Sequence, residues 1–148
     1  MVRWHRGETM EYKYVFDAPC SLHDARVRAL ERAGGDLWLR LETGYFKLSR
    51  PVRQEDGDVC VKQVNWDFSV AWVLSPSGRH GRFQGEKMEL SRFVSRYGSC
   101  PLEILDESFG YDQVQYTGYL SLPDRLAEVT LSICHRGPIV YERRETAP

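Results

Sequence analysis

Val64-Asn65-Trp66-Asp67-Phe68-Ser69-Val70-Ala71-Trp72-Val73-Leu74 is the run on which the fold class turns. Val64, Trp66, Phe68, Val70, Trp72 and Leu74 recur at every second position, against Asn65, Asp67 and Ser69. That period sends alternate side chains to opposite faces of a strand. Two indoles and a phenyl ring on one face would remove a large apolar area from water, so the run predicts the central strand of the core. Val59-Cys60-Val61 leads into it.

The same period appears on both sides. Ala25, Val27 and Ala29 alternate with Arg26 and Arg28, and Leu37, Leu39 and Leu41 return against Trp38, Arg40 and Glu42. Gly34-Gly35 supplies the tight turn between them, where positive φ costs glycine nothing. Trp38 falls on the polar face of this hairpin and calls for a second packed layer, such as a helix stripe. Tyr12, Tyr14 and Phe16 suggest a strand near the start, and Tyr45, Phe46 and Leu48 another, which Pro51 stops. Leu102–Leu105, the run from Val114 to Leu122, the run Val129–Ile133 and Ile139–Tyr141 complete the set.

One segment changes period. Leu90, Phe93, Val94 and Tyr97 form a single helical stripe, so one amphipathic helix is expected near 86–97, with Glu86 and Glu89 early and Arg92 and Arg96 late. Gly98 is placed to end it in a left-handed conformation. The fold class is therefore mainly β: about seven to nine short strands in an antiparallel sandwich or partly open barrel, plus this helix. Residues 1–9 read as a flexible N-terminal segment and 10–145 as a single β-rich domain.

With 148 residues and a net charge of −1, the chain carries no global basic field, which makes nucleic acid an unlikely partner. No apolar run is long enough to span a bilayer, and the first residues lack the apolar stretch of an export signal. A cytoplasmic protein whose four cysteines stay reduced is the expectation.

Candidate chemistry is sparse. His23-Asp24 opens a strand, which would point the two side chains to opposite faces as a polar pair. His5, His23, His80 and His135 show no metal-ligand spacing, so no metal or cofactor is expected. Cys134-His135 are likewise on opposite faces, and Cys60 between valines reads as core. In Gly78-Arg79-His80-Gly81-Arg82-Phe83-Gln84-Gly85, Arg79, His80 and Arg82 could hold an anion beside a helix N-terminus. The loop lacks the Gly-Lys-Ser/Thr ending of a P-loop. Residues 101–128 carry Glu103, Asp106, Glu107, Asp112, Asp124 and Glu128 against Arg125 alone. Within them Asp106, Glu107, Phe109, Tyr111 and Asp112 combine acids with aromatic anchors, the make-up of a loop that contacts a protein partner.

Ser21-Leu22-His23-Asp24-Ala25-Arg26-Val27, followed by the glycine-turn hairpin to Glu42, resembles the opening of small, uncharacterised bacterial β-rich domains, some of them toxin-immunity proteins. That resemblance implies a toxin partner, often basic, neutralised by occlusion. The residues themselves point to a non-catalytic binding or interaction domain. Two alternatives stand beside it. One is a small enzyme or anion-binding protein using loop 78–85 with His23 or His80. The other is a small-ligand-binding β-barrel lined by some of Trp66, Trp72, Tyr116 and Tyr119. An open sheet also leaves edges through which copies of the chain could pair.

Overall fold

The computed structural model describes residues 2–5, 9–12, 18–76 and 83–144. Their elements are β1 (Val2–His5), β2 (Thr9–Tyr12), β3 (Cys20–Ser21), β4 (Arg26–Ala33), β5 (Asp36–Leu41), β6 (Tyr45–Lys47), β7 (Arg53–Glu55) and β8 (Gly57–Val61). β9 (Val70–Pro76), β10 (Phe83–Glu89), α1 (Leu90–Tyr97), β11 (Leu102–Gly110), β12 (Gln113–Ser121), β13 (Leu126–Cys134) and β14 (Ile139–Arg143) follow. Among the described residues the chain is mainly β with one short helix, and the sheet does not close into a barrel. An eleven-stranded antiparallel sheet runs β1-β2-β14-β8-β5-β4-β11-β12-β13-β9-β10, and β3-β6-β7 form a small second sheet.

The long sheet is two halves joined at a narrow seam. β4 pairs with β11 only through Val27–Leu102 and Arg26–Glu103. Beyond Val27 the edge of β4 is free of β11, and the Leu30 amide donates instead to the Gly98 carbonyl at 2.7 Å, just past α1. At its other end α1 is tied to the strand side, with the Leu90 amide donating to Ser69 O at 2.9 Å. Leu37, Leu39, Val59 and Tyr141 from one half share a single apolar cluster with Val114, Leu131, Ile133 and Ala71 from the other. One cluster fed by both halves requires the sheet to fold over on itself, with Leu90 and Phe93 of the helix completing the core.

Several local expectations give way. The helix starts at Leu90, not near 86, because residues 83–89 pair with β9 in continuous register from Phe83–Pro76 to Glu89–Val70. Gly98 has φ −60°, so left-handed freedom is not its role. A Cβ there would lie 2.3 Å from Val94 O and 2.7 Å from Leu30 O, and glycine is what lets the helix end touch β4. The Ala25–Ala29 alternation also breaks. A bulge between Val27 and Ala29 puts Leu30 into the core instead of Ala29. Over Trp38 it is cations that pack: the Arg40 guanidinium lies 4.3 Å and the Lys62 ammonium 5.9 Å from its ring centroid. Within residues 1–9, read as a flexible N-terminal segment, Val2–His5 form β1, which pairs with β2, and β2 in turn pairs with β14. Tyr14 and Phe16 lie outside the described residues.

The largest correction concerns the run from Val64 to Leu74. Val59-Cys60-Val61 does not lead into it but belongs to β8, between β5 and β14. Val64 makes an isolated bridge to His135, residues 66–68 form a turn, and the strand begins only at Val70. Within β9 the buried residues are Ala71 and Val73, so Val70, Trp72 and Leu74 take the other face. A period-two pattern carried through an interrupting turn loses its phase, and every side chain after it changes side. Phe68, expected in the core, is 71% exposed.

Candidate functional site

Four turns meet at one end of the molecule. Gly34, with φ +62°, closes the β4–β5 tip, and the next carbonyl, Gly35 O, accepts the Val64 amide at 2.8 Å and the Trp66 indole N–H at 3.2 Å. Asp36 binds the same segment through Lys62 Nζ at 3.2 Å and the Gln63 amide at 2.9 Å. The 65–69 turn is fixed from inside by Ser69, which is fully buried. Its hydroxyl donates to Asn65 O at 2.8 Å and accepts the Cys134 amide at 2.9 Å. Cys134 O accepts the Asn65 amide at 2.7 Å, and its thiol reaches Phe68 O at 3.6 Å. On the other flank the His135 amide donates to Asp112 O at 3.0 Å, and the Arg136 amide to Gln63 O at 2.9 Å.

This bracing leaves a shallow groove of about 520 Å³. Arg32, Gln63, Asn65, Trp66, Asp67 and Arg136 are among its lining residues. The Arg32 guanidinium lies 4.3 Å from the centroid of the Trp66 ring, and its Nε donates to Gly34 O at 3.2 Å. Stacking and one backbone bond hold that side chain without an ion-pair partner among the described residues. Phe68 follows the lining residue Asp67, and Tyr111, which is 79% exposed, is on the turn whose Asp112 carbonyl accepts the amide of His135, the residue before the lining residue Arg136.

The acidic-aromatic segment expected to be a loop divides. Asp106, Glu107 and Phe109 are in β11, paired with Thr117, Tyr116 and Val114. Only Tyr111 and Asp112, φ +53°, make the turn that joins the groove end. The shift in register between Ile104 and Asp106 turns Glu107 and Phe109 inward while Asp106 stays exposed. Glu107 Oε1 accepts the Leu22 amide at 2.8 Å. Burial pushes the Glu107 carboxyl above its ordinary range, against the pull of the Leu22 amide. Glu107 is thus a structural carboxyl beneath the 20–25 strap and not part of a contact surface.

His23 and Asp24 sit in a turn before β4, Asp24 with φ +61°, and their side chains do meet, which corrects the opposite-face reading. His23 Nε2 is 3.4 Å from Asp24 Oδ2, and Nδ1 donates to Leu105 O at 2.5 Å. Both side chains are about two-thirds exposed. His135 is buried, with Nδ1 2.7 Å from Gly137 O. Burial pushes the Cys20 thiol up to about 12 and the Cys60 thiol up to about 11, the opposite of what a thiolate nucleophile needs. Arg79, His80 and Arg82 lie outside the described residues. Among the described residues no three His, Cys, Asp or Glu side chains group as metal ligands, and no helix is long and apolar enough to cross a membrane.

The four rings offered as a barrel lining do not share a cavity. Trp66 lines the groove and Tyr116 is in the core. Trp72 lies on the outer face of β9 with Lys87 Nζ 5.6 Å from its ring centroid, and Tyr119 is 43% exposed. No protein-family model, curated protein or solved structure matches the chain. The residues that sequence reasoning missed are Arg32, Gln63, Asn65 and Arg136, and it assigned Trp66 and Phe68 to the interior. Asn65 and Asp67 are turn formers inside an apparently alternating run, and they were the available signal.

Proposed function

We propose that this chain is a non-catalytic protein-binding domain whose working surface is the turn end built around Trp66, Phe68 and Tyr111. The observation that carries it is the exposure of Phe68 and Tyr111, 71% and 79%, on two turns braced against the same pair of residues, Cys134 and His135. Large rings held on rigid turns lose little conformational freedom when they dock, and the charged side chains of Arg32, Asp67, Asp112 and Arg136 would form the polar rim. The surface keeps Tyr111 and Asp112 of the acidic-aromatic segment and replaces Asp106, Glu107 and Phe109 with the 65–68 turn. A partner neutralised by occlusion, as the immunity-type resemblance implies, is one form this binding could take.

The test is site-specific photocrosslinking in the producing cell, with a photoreactive phenylalanine at position 68, at 111, or at the control position Leu126, which is 61% exposed. Positions 68 and 111 are expected to trap the same polypeptide, and position 126 to trap none of it. Equal trapping from all three positions, or none from 68 and 111, would overturn the reading. A product of twice the chain's own mass from both positions would identify the partner as a second copy.

A further inference from the structure

We infer that the groove beside these rings is a carboxylate-reading site for a short acidic peptide segment of the partner, an inference that rests on the binding surface proposed above. Arg32 carries the argument. Its Nε is engaged by Gly34 O and its plane by the Trp66 ring, which fixes the guanidinium while its terminal nitrogens make no ion pair among the described residues. A preoriented guanidinium fork suits a carboxylate, which it can take in two parallel bonds. Gln63 and Asn65 line the same groove, and their side-chain amides add neutral donors and acceptors.

The lining also selects among anions. Trp66 is packed against the core and capped by Arg32, and its N–H is engaged by Gly35 O. It therefore offers no open face on which a nucleobase could stack. Asp67 lines the groove as well, and its negative charge opposes a phosphate dianion more strongly than a single carboxylate. What remains is a Glu or Asp side chain on an extended segment, with the exposed Phe68 ring, next in sequence to the lining residue Asp67, taking an apolar neighbour.

The experiment is an amide and indole NMR titration of the whole chain with acetyl-Gly-Glu-Gly-Glu-Gly-amide, with the lysine counterpart of that peptide, and with inorganic phosphate. Saturable shifts at the Trp66 indole N–H, the Gln63 and Asn65 side-chain amides and the Arg136 backbone amide are expected from the glutamate peptide alone. Arg32→Gln should weaken that binding about tenfold, the loss typical of one charge-assisted bidentate contact, and Arg32→Lys by less. Asn65→Asp, which leaves Arg32 in place and adds a carboxylate to the lining, should also weaken it, so the inference does not depend on one variant staying folded. Absence of saturable shifts, wild-type affinity in both Arg32→Gln and Asn65→Asp, or phosphate binding at least as tight as the peptide would overturn it. If the peptide fails to bind while positions 68 and 111 still crosslink to one polypeptide, the groove assignment alone has failed. Loss of those crosslinks marks failure of the binding surface itself.

Discussion

Replacing Glu107 by alanine and by glutamine separates what its carboxyl does for the fold from what its charge does. Oε1 accepts the amide of Leu22, a residue with no exposed surface, and this bond helps fasten the 20–25 strap to β11. Alanine leaves a buried N–H without a partner, which costs about 1–3 kcal/mol. Glutamine keeps a carbonyl oxygen in the same place and should retain most of the bond. For a chain of 148 residues, an unfolding entropy near 2.1 cal/mol/K per residue converts that gap into a Tm difference of about 3–10 °C. The pH dependence has a definite sign. Burial raises the folded carboxyl above its ordinary value, so the folded state holds the proton more tightly than the unfolded chain does. The wild type therefore has its full share of stability from this group below the unfolded carboxyl's value, about 4.3, and loses it as pH rises through the folded one. The glutamine variant lacks that loss and should gain on the wild type across the same window. Urea melts at a series of pH values, with Tm by circular dichroism, read both effects. Equal stabilities for the alanine and glutamine variants would refute the Leu22 bond, and parallel wild-type and glutamine pH profiles would refute the upward push that burial gives the carboxyl.

Two further outcomes follow from packing and from thiol burial. Gly98→Ala should cost about 1–3 kcal/mol by driving the helix end away from Leu30 O, whereas Gly35→Ala, where an added Cβ meets nothing within 4 Å, should leave the urea midpoint nearly unchanged. Equal effects would remove the close-approach argument for Gly98. Ellman's reagent on the native protein should modify Cys100 and Cys134 well before Cys20 and Cys60, which are buried and held up at about 12 and about 11. Mapping the modified thiols by mass spectrometry checks the order, and early modification of Cys20 would contradict its burial.

Antiparallel pairing was legible wherever one strand face met the core without interruption. The Leu37-Leu39-Leu41 alternation survives as β5, with all three residues fully buried. The stripe Leu90, Phe93, Val94 and Tyr97 survives as α1. Strands were missed where they carry little or no apolar period. β3 has two residues and β7 is Arg53-Gln54-Glu55, and each is held by pairing to β6. Backbone pairing also decided the 83–89 segment, where the ladder to β9 outcompetes a helical start that the charges alone would favour.

The site was hidden for a related reason. Alternation counts apolar residues, and Trp66 and Phe68 keep the count going through a turn that polar groups impose. Gln63 takes φ +50°, the Asn65 carbonyl accepts the Phe68 amide at 3.1 Å, and the buried Ser69 hydroxyl ties the turn to Cys134. None of these bonds has an apolar signature, yet together they turn one ring out to solvent and lay the other beneath Arg32. The turn that spoils the strand reading is thus also what builds the surface. A continuous strand from Val64 to Leu74 would have spent both rings on the core, whereas here Ala71 and Val73 fill that place. Phe68 is thereby left exposed while Trp66 packs against the core's edge beneath Arg32, and the Ser69 hydroxyl holds the turn that places both rings. Loosening the Ser69 pin should therefore disturb the groove and the Phe68 ring together while leaving the pairing of β9 with β13, which begins at Val70–Ser132, in register.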